Sequence, residues 1–182
     1  MVDPTDELKV RAEILHKRIV SGDVEARARL RALTELAKAD EKALAVAASR
    51  LQRKHCLAIV ARETGFSSWD HAVRVFRGDA SERDLGTLLH DHETRGTLNA
   101  WFASYEEARA HLDERRRAGH RVFLLAYKRH FVIVEDHYIE ALGLDPDDPD
   151  WQRLGFDWAS PREPAARVRL IGKRLAVLRG RT

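Results

Sequence analysis

The apolar residues of segment 121–135 fall into two short runs separated by a polar reversal. The runs are residues 122–127 and 131–134, and Lys128-Arg129-His130 lies between them. Short runs rich in Val, Ile, Phe and Tyr predict the two antiparallel strands of a hairpin. Neither run alternates apolar with polar residues, so both faces of the hairpin need cover from helices or from another subunit.

The N-terminal part shows a helical period instead. Residues 5–21 carry apolar positions at a spacing near 3.6, which predicts an amphipathic helix. Asp23 and Asp40 can each cap a further helix. The stretch after Asp40 contains no helix breaker as far as Thr64, so one long helix or two joined near Arg53 both fit the pattern.

The segments before the hairpin predict three elements. Residues 85–92 fit a short helix, and residues 96–102 fit an extended segment lying beside the hairpin. Ser104 and Glu107 form a capping box for a helix that runs to Gly119. The predicted order is strand, helix, strand, strand, and a parallel pairing of the first two strands would require a right-handed crossover.

Three helices are predicted after the hairpin. Residues 137–142 form a short one closed by Gly143, and Asp148 caps a second. The last helix, 164–178, has an apolar side and carries most of its bases elsewhere.

The fold class predicted by these patterns is α+β. A helical bundle with a helix-turn-helix-like end occupies residues 1–79, and residues 80–182 form a domain built on the 121–135 hairpin, which has two or three strands flanked by helices. The composition, 44% hydrophobic and 34% charged, suits a soluble globular protein with a real core.

The cysteine content and the chain start restrict the location. Cys56 is the single cysteine, which excludes an internal disulfide and a multi-cysteine zinc site and fits a reducing cytosol. Its apolar neighbours predict an inert buried thiol. The first residues lack the regions of a signal peptide, and no apolar run approaches the roughly 20 residues that span a bilayer. We therefore expect a cytoplasmic protein without a membrane association.

Charge is distributed unevenly along the chain. Segment 135–157 contains eight acidic residues against one base, and segment 162–182 contains seven bases against one acid. The simplest expectation is that these segments attract one another or a symmetry mate. A free basic tail is the alternative, although the net charge of +3 does not by itself imply nucleic acid.

Residues 57–79 predict two helices joined by a tight turn. Gly65 can end the first helix and Ser67 or Ser68 can cap the second. The pattern A-R-x-x-G-F-x-S-W at residues 61–69 resembles a short motif found in bacterial proteins of no assigned activity, some with ankyrin-like or glyoxalase-like parts. It also resembles the second helix-turn-helix of arabinose-regulator-type transcription factors, which implies DNA binding, over about 20 residues. No second such unit is evident in the chain, and Trp69 occupies part of the helix that would read DNA.

A nucleic-acid interface at this turn would use His71, Arg74 and Arg77, exposed on the second helix. Asp70 beside them repels phosphate, and the same geometry is common as plain helix packing. The sequence favours the structural helix pair. Its buried residues are predicted to be Trp69, Val73 and Phe76.

A metal site would start from His90 and His92, with His137 as a third candidate. Residues two apart share a face on a strand and diverge on a helix, and the local prediction is a helix. No metal and no other cofactor is therefore predicted.

The loop acids could suggest calcium, but the loop lacks the glycine and the terminal glutamate of an EF-hand, so capping and turn roles are expected. These acids are Asp145, Asp147, Asp148 and Asp150.

No known catalytic motif occurs in the chain. The pair Glu135 and His137 could perform acid–base chemistry. A small enzyme would be indicated by a concave pocket in which several histidines converge with acids. The histidines concerned are His90, His92, His120, His130 and His137.

The sequence favours a non-enzymatic cytoplasmic module that binds a protein partner, a second copy of itself or another ligand. A hairpin with two apolar faces could expose a patch for association, at the positions Phe123, Leu125, Val132 and Val134. A helix-turn-helix DNA-binding regulator and a small histidine–carboxylate enzyme are the alternatives.

Overall fold

The computed structural model describes residues 3–94 and 99–180. The fold is α+β, as predicted. The chain divides into two compact units, Val2–Val73 and Arg74–Thr182. The division falls inside a helix rather than at the predicted position 79/80. No helix in the described ranges is long and apolar enough to cross a membrane.

The N-terminal unit is helical. Its elements are α1 (Pro4–Val20), α2 (Val24–Ala28), two 3-10 turns (Arg29–Ala32 and Thr34–Leu36), α3 (Glu41–Ala48), α4 (Arg53–Glu63) and the start of α5 (Trp69–Arg77). The predicted caps are confirmed, because Asp23 accepts a hydrogen bond from the amide of Ala26 and Asp40 accepts one from Ala43. Segment 40–64 forms two helices, and α4 starts where the amide of Gln52 donates to Nδ1 of His55 at 3.1 Å.

The C-terminal unit is built on a three-stranded antiparallel sheet. Its elements are β1 (Ala100–Phe102), α6 (Tyr105–Arg117), β2 (Phe123–Tyr127), β3 (His130–Val134), α7 (Asp136–Ala141), α8 (Pro149–Leu154) and α9 (Pro164–Gly180). The hairpin is confirmed, with Phe123 opposite Val134 and Tyr127 opposite His130. The strand order is β1-β3-β2, so β1 pairs antiparallel with the last strand. A parallel pairing of the first two strands, with its crossover, does not occur. Residues 96–98 of the predicted extended segment lie outside the described residues.

Both faces of the hairpin are covered, as the lack of alternation required. On one face, Leu124 and Ile133 form a buried cluster with Ala108 and Leu112 of α6. On the other, the ring of Phe123 contacts Trp151 of α8 at 5.1 Å between centroids.

The prediction of a short helix at residues 85–92 is wrong, because this segment forms turns. Gly86 has φ +72°, which ordinary helical residues do not adopt. The carbonyl of Gly86 accepts the amide of Lys128, and the amide of Leu85 donates to the Lys128 carbonyl. Two backbone hydrogen bonds of this segment therefore go to the hairpin turn, where Lys128 has φ +55°.

The edge of β2 that does not pair with β3 is hydrogen-bonded to the segment that follows α8. The amide of Leu124 donates to the Phe156 carbonyl at 2.8 Å, and the amide of Trp158 donates to the Leu124 carbonyl at 2.9 Å. This short parallel bridge at Asp157 carries the chain from α8 along the sheet to α9.

Candidate functional site

Helix α9 presents two arginines to the interior of the C-terminal unit. Arg167 is 6% exposed and Arg174 is 1% exposed. The two residues lie seven apart and so share one face of the helix. The expectation that most bases of this helix point away from the buried side is wrong at these two positions.

Arg174 is neutralised inside the protein. Its Nη2 lies 2.6 Å from Oδ2 of Asp91, its Nε donates to the Leu88 carbonyl at 3.1 Å, and its Nη1 donates to the Leu142 carbonyl at 2.5 Å. One guanidinium thus fixes the loop before β1 and the end of α7. Its role is structural.

The other two bases of this stretch also have acidic partners. Nη2 of Arg169 lies 2.6 Å from Oδ1 of Asp150, and Nζ of Lys173 bonds to both Asp148 and Asp150. These contacts hold the pKa of Asp150 well below its usual range, chiefly through Arg169. They confirm the predicted attraction between the acidic and the basic segment.

Arg167 differs from its neighbours on α9. Its Nη2 donates to the Val75 carbonyl at 2.5 Å and its Nη1 to the Trp158 carbonyl at 3.4 Å. No carboxylate of the described residues forms an ion pair with it. Burial lowers its pKa because the charged form is desolvated. A guanidinium keeps its proton even so, and the result is a buried positive charge that no carboxylate of residues 3–94 and 99–180 compensates.

Arg167 lines a cleft of about 540 Å³ in the C-terminal unit. Small-molecule sites commonly have volumes of about 300–1,000 Å³, with apolar walls and a few placed polar groups. The apolar walls of the cleft are formed by Val75, Phe76, Leu85, Phe131, Pro161 and Val168.

The remaining charges of the cleft lie at its rim. Arg77, Asp79, Arg83 and Glu106 are exposed, and Oε2 of Glu82 lies 2.9 Å from Nε of Arg74. Solvent screens these rim charges, whereas the charge of Arg167 is screened much less. Arg167 is therefore the least screened charge in the lining of the cleft.

Asp157 forms a hydrogen bond with Tyr105, a lining residue of the cleft. This fully buried carboxylate accepts a hydrogen bond from Oη of Tyr105 at 2.8 Å and pairs with Nη1 of Arg109 at 3.0 Å. Burial raises the pKa of Tyr105, which also lines the cleft. Asp157 is thus satisfied by residues other than Arg167.

The predicted association surface lies inside the protein. Phe123 and Leu125 are fully buried, and Val132 and Val134 are 1% exposed. The prediction of an exposed patch at these positions is wrong, because segments after the hairpin cover that face.

The residues predicted for nucleic-acid contact do not form an exposed row. His71 is 3% exposed, which corrects the expectation, and its Nδ1 accepts the amide of Ser67 at 3.1 Å. Its own amide donates to Oγ of Ser68, the predicted cap. Arg74 pairs with Glu82, and Arg77 is exposed at the rim of the cleft. Trp69 and Val73 are half-buried rather than buried, while Phe76 is buried as predicted.

The histidines do not assemble a metal site in the part of the chain that the structure describes, where no three potential ligands cluster. His92 is exposed and pairs with Glu93, and His120, His130 and His137 are exposed. His90 is half-buried, and its Nδ1 lies 2.8 Å from Oη of Tyr138. Its ring makes edge contacts with Trp101 and Tyr127.

The other predicted sites have structural roles. Asp148 accepts the amide of Asp150 at the start of α8, and Asp145 accepts the amide of Asp147, which confirms capping and turn roles. Glu135 lies 3.5 Å from Arg115. Cys56 is buried as predicted, and burial raises the pKa of its thiol to about 11, which agrees with the expectation of an inert thiol.

Sequence reasoning missed Arg167, although a signal was present. Arg167, Ile171, Arg174 and Leu178 follow the spacing of one helix face, so two arginines interrupt an apolar stripe. What the pattern could not supply is the position of their counter-charges, which come from distant parts of the chain.

Comparison with protein-family models, with curated proteins and with solved structures finds no match to this chain.

Proposed function

We propose that the protein is a non-enzymatic binding module whose C-terminal unit takes a small amphipathic anion. The anionic group, a carboxylate, pairs with Arg167, and an apolar body lies against the walls of the cleft. The observation that carries the proposal is the buried guanidinium of Arg167, which contacts two carbonyls and the ring of Trp158 but no carboxylate among the described residues, on a residue that lines a cleft of about 540 Å³.

The charge of the ligand follows from the cost of burying a cation. An uncompensated buried charge is unfavourable, and a ligand carboxylate that forms two parallel hydrogen bonds with a guanidinium removes much of that penalty. Arg167 has five N–H donors, and two of them are used by the carbonyls of Val75 and Trp158. Donors therefore remain for a ligand.

We propose no catalytic role because of the polar groups that line the cleft. The polar groups there are the arginines, rim carboxylates, Tyr105 and Ser160. The phenol of Tyr105 donates to Asp157, and its raised pKa makes it a poor base near neutral pH. We also propose a cytoplasmic location, which a single buried free thiol suits.

The experiment is a calorimetric titration of the full chain with three probes that share one ring system. The probes are 1-naphthoate, 1-naphthylmethanol and 1-naphthylmethylamine. We expect saturable one-to-one binding of the carboxylate, binding of the neutral alcohol weaker by about tenfold or more, and no detectable binding of the amine.

A substitution pair locates the site. Arg167→Met keeps much of the volume and removes the charge, so naphthoate affinity should fall by about tenfold or more. Arg129→Met removes an exposed arginine of the hairpin turn, outside the cleft, and should leave the affinity unchanged. Equal binding of acid and alcohol, or full naphthoate affinity in Arg167→Met, would overturn the proposal.

A further inference from the structure

A second concavity of about 580 Å³ lies between the end of α6 and the segment that follows α8. Its lining contains four arginines and one carboxylate, that of Asp113. The arginines are Arg109, Arg116, Arg117 and Arg162. It shares no lining residue with the cleft at Arg167. We refer to it as the arginine cleft.

One of the four charges is neutralised internally. Nη2 of Arg109 lies 2.8 Å from Oδ1 of Asp113, and its Nη1 lies 3.0 Å from Oδ2 of Asp157. The single carboxylate of the lining is consequently occupied. It offers nothing to the other three arginines.

Those three arginines lack a carboxylate partner within residues 3–94 and 99–180. Nη1 of Arg116 donates to the Val122 carbonyl at 3.2 Å, and its guanidinium carbon lies over the ring of Phe156, 3.3 Å from the centroid. Burial, followed by the nearby charge of Arg121, lowers the pKa of Arg116. Arg117 and Arg162 are exposed.

The backbone makes room for this arrangement. Gly155 ends α8 with φ +72°, and a Cβ built there would lie 2.7 Å from Nε and 2.9 Å from Cδ of Arg162. The stem of Arg162 therefore rests on the position that glycine leaves open. Arg162 is thus supported along its side chain, whereas Arg116 is supported by the ring of Phe156 beneath its guanidinium.

Helix dipoles account for only part of this clustering. Arg116 and Arg117 lie in the last turn of α6, where a cation is favoured by about 0.3–1 kcal/mol. That effect explains why a base is stable at each position. It does not compensate the mutual repulsion of three like charges around one concavity, which a bound anion would relieve.

We propose that the arginine cleft binds the phosphate group of a small phosphorylated molecule. A phosphate carries two negative charges and several acceptor oxygens, and guanidinium groups match it with paired hydrogen bonds. The neighbouring bases Arg115 and Arg121 are already paired with Glu135 and Asp136, so the unpaired charge is confined to a cleft and does not form a stripe. This confinement favours a compact phosphate over a nucleic-acid backbone, which needs several bases along a track.

The test is a calorimetric titration of the full chain with inorganic phosphate, pyrophosphate and glycerol phosphate. We expect saturable one-to-one binding that weakens as the salt concentration rises from about 50 to about 200 mM. Binding of glycerol phosphate at an affinity similar to that of free phosphate would point to an organic ester, and binding of phosphate alone would point to the inorganic ion. Both results support the phosphate site.

Substitutions at the two exposed arginines avoid a folding defect. Arg117→Gln and Arg162→Gln should each weaken pyrophosphate binding by about fivefold or more, and Arg129→Gln should leave it unchanged. Arg167→Met should retain phosphate binding, which separates this inference from the function proposed above.

Three results would contradict the proposal. One is the lack of saturable binding at millimolar pyrophosphate, and another is full affinity in both glutamine variants. The third is tight binding of a single-stranded oligonucleotide that pyrophosphate does not displace, because a polymer would then be the ligand.

Discussion

Arg167 and Arg174 lie on one face of α9, but their surroundings differ in whether they include a carboxylate. At one end, Arg174 is fully buried and meets a carboxylate and two carbonyls. At the other, Arg167 is nearly as buried, meets two carbonyls and the ring of Trp158 but no carboxylate of the described residues, and lines a cleft. A buried cation that the protein neutralises holds the fold together, whereas one that it leaves uncompensated beside a cleft is available to an external anion.

The largest effect should follow from removing the neutralised charge. Arg174→Met leaves the carboxylate of Asp91 and the carbonyls of Leu88 and Leu142 without this partner. We expect the C-terminal unit to lose about 3 kcal/mol of unfolding free energy or more, measured by urea denaturation followed by tryptophan fluorescence. A loss below about 1 kcal/mol would remove the distinction between the two arginines.

The ion pairs of Asp150 should give the next largest effect, with a defined pH dependence. Asp150→Asn removes the charge that pairs with Arg169 and Lys173, and we expect a loss of about 2 kcal/mol at neutral pH because the partners are partly exposed. The pKa of Asp150 is lowered in the folded protein, so its contribution is present above the unfolded pKa of about 3.9.

Protonation removes that contribution as the pH falls through the lowered pKa. The difference between wild type and Asp150→Asn should thus be constant from neutral pH down to about 4 and should shrink at lower pH. Arg167→Met should show no such decline, since no described carboxylate pairs with Arg167. A decline in both variants would show that Arg167 has an acidic partner in solution.

A smaller effect is expected at the loop that Arg174 anchors. Oη of Tyr138 donates to the Leu89 carbonyl at 3.1 Å and lies 2.8 Å from Nδ1 of His90. Tyr138→Phe removes both contacts at a buried position and should cost about 1–1.5 kcal/mol of unfolding free energy, measured by the same denaturation. No measurable loss would mean that Arg174 alone fixes this loop.

The smallest effect on stability should come from Arg167→Met. The Val75 carbonyl that Arg167 contacts also accepts the amide of Gly78, so it keeps a partner in the variant. We expect a change within about 1 kcal/mol, since the lost hydrogen bonds are offset by removal of a desolvated charge. A loss as large as that of Arg174→Met would assign Arg167 a purely structural role.

The local patterns predicted much of the fold. Caps at Asp23, Asp40 and Asp148 and the apolar runs of the hairpin are properties of neighbouring residues, and the structure confirms them. The pairing of β1 with β3 was not predicted, because it depends on contacts between residues far apart in the chain. The turns at 85–92 escaped prediction for the same reason, since two of their backbone hydrogen bonds are formed with Lys128.

The candidate site escaped prediction because burial and charge compensation are both tertiary properties. The face of α9 could be read from spacing, but Asp91, the partner of Arg174, lies 83 positions away in the chain. Nothing local to Arg167 shows that it lacks such a partner. The prediction of an association surface on the hairpin was wrong for a related reason, since the segments that cover these residues follow later in the sequence.

The most direct test of the account compares the two side chains in one sample. Buried guanidinium groups that are hydrogen-bonded give observable Nε–H signals in ¹⁵N NMR spectra, and 1-naphthoate can be titrated while both signals are followed. We predict that the Arg167 signal shifts as naphthoate is added, with the same dissociation constant that calorimetry gives, and that the Arg174 signal stays in place. We also predict that 1-naphthylmethanol shifts neither signal. An unmoved Arg167 signal at saturating naphthoate, or equal shifts of both arginines, would contradict the claim that Arg167 holds the ligand.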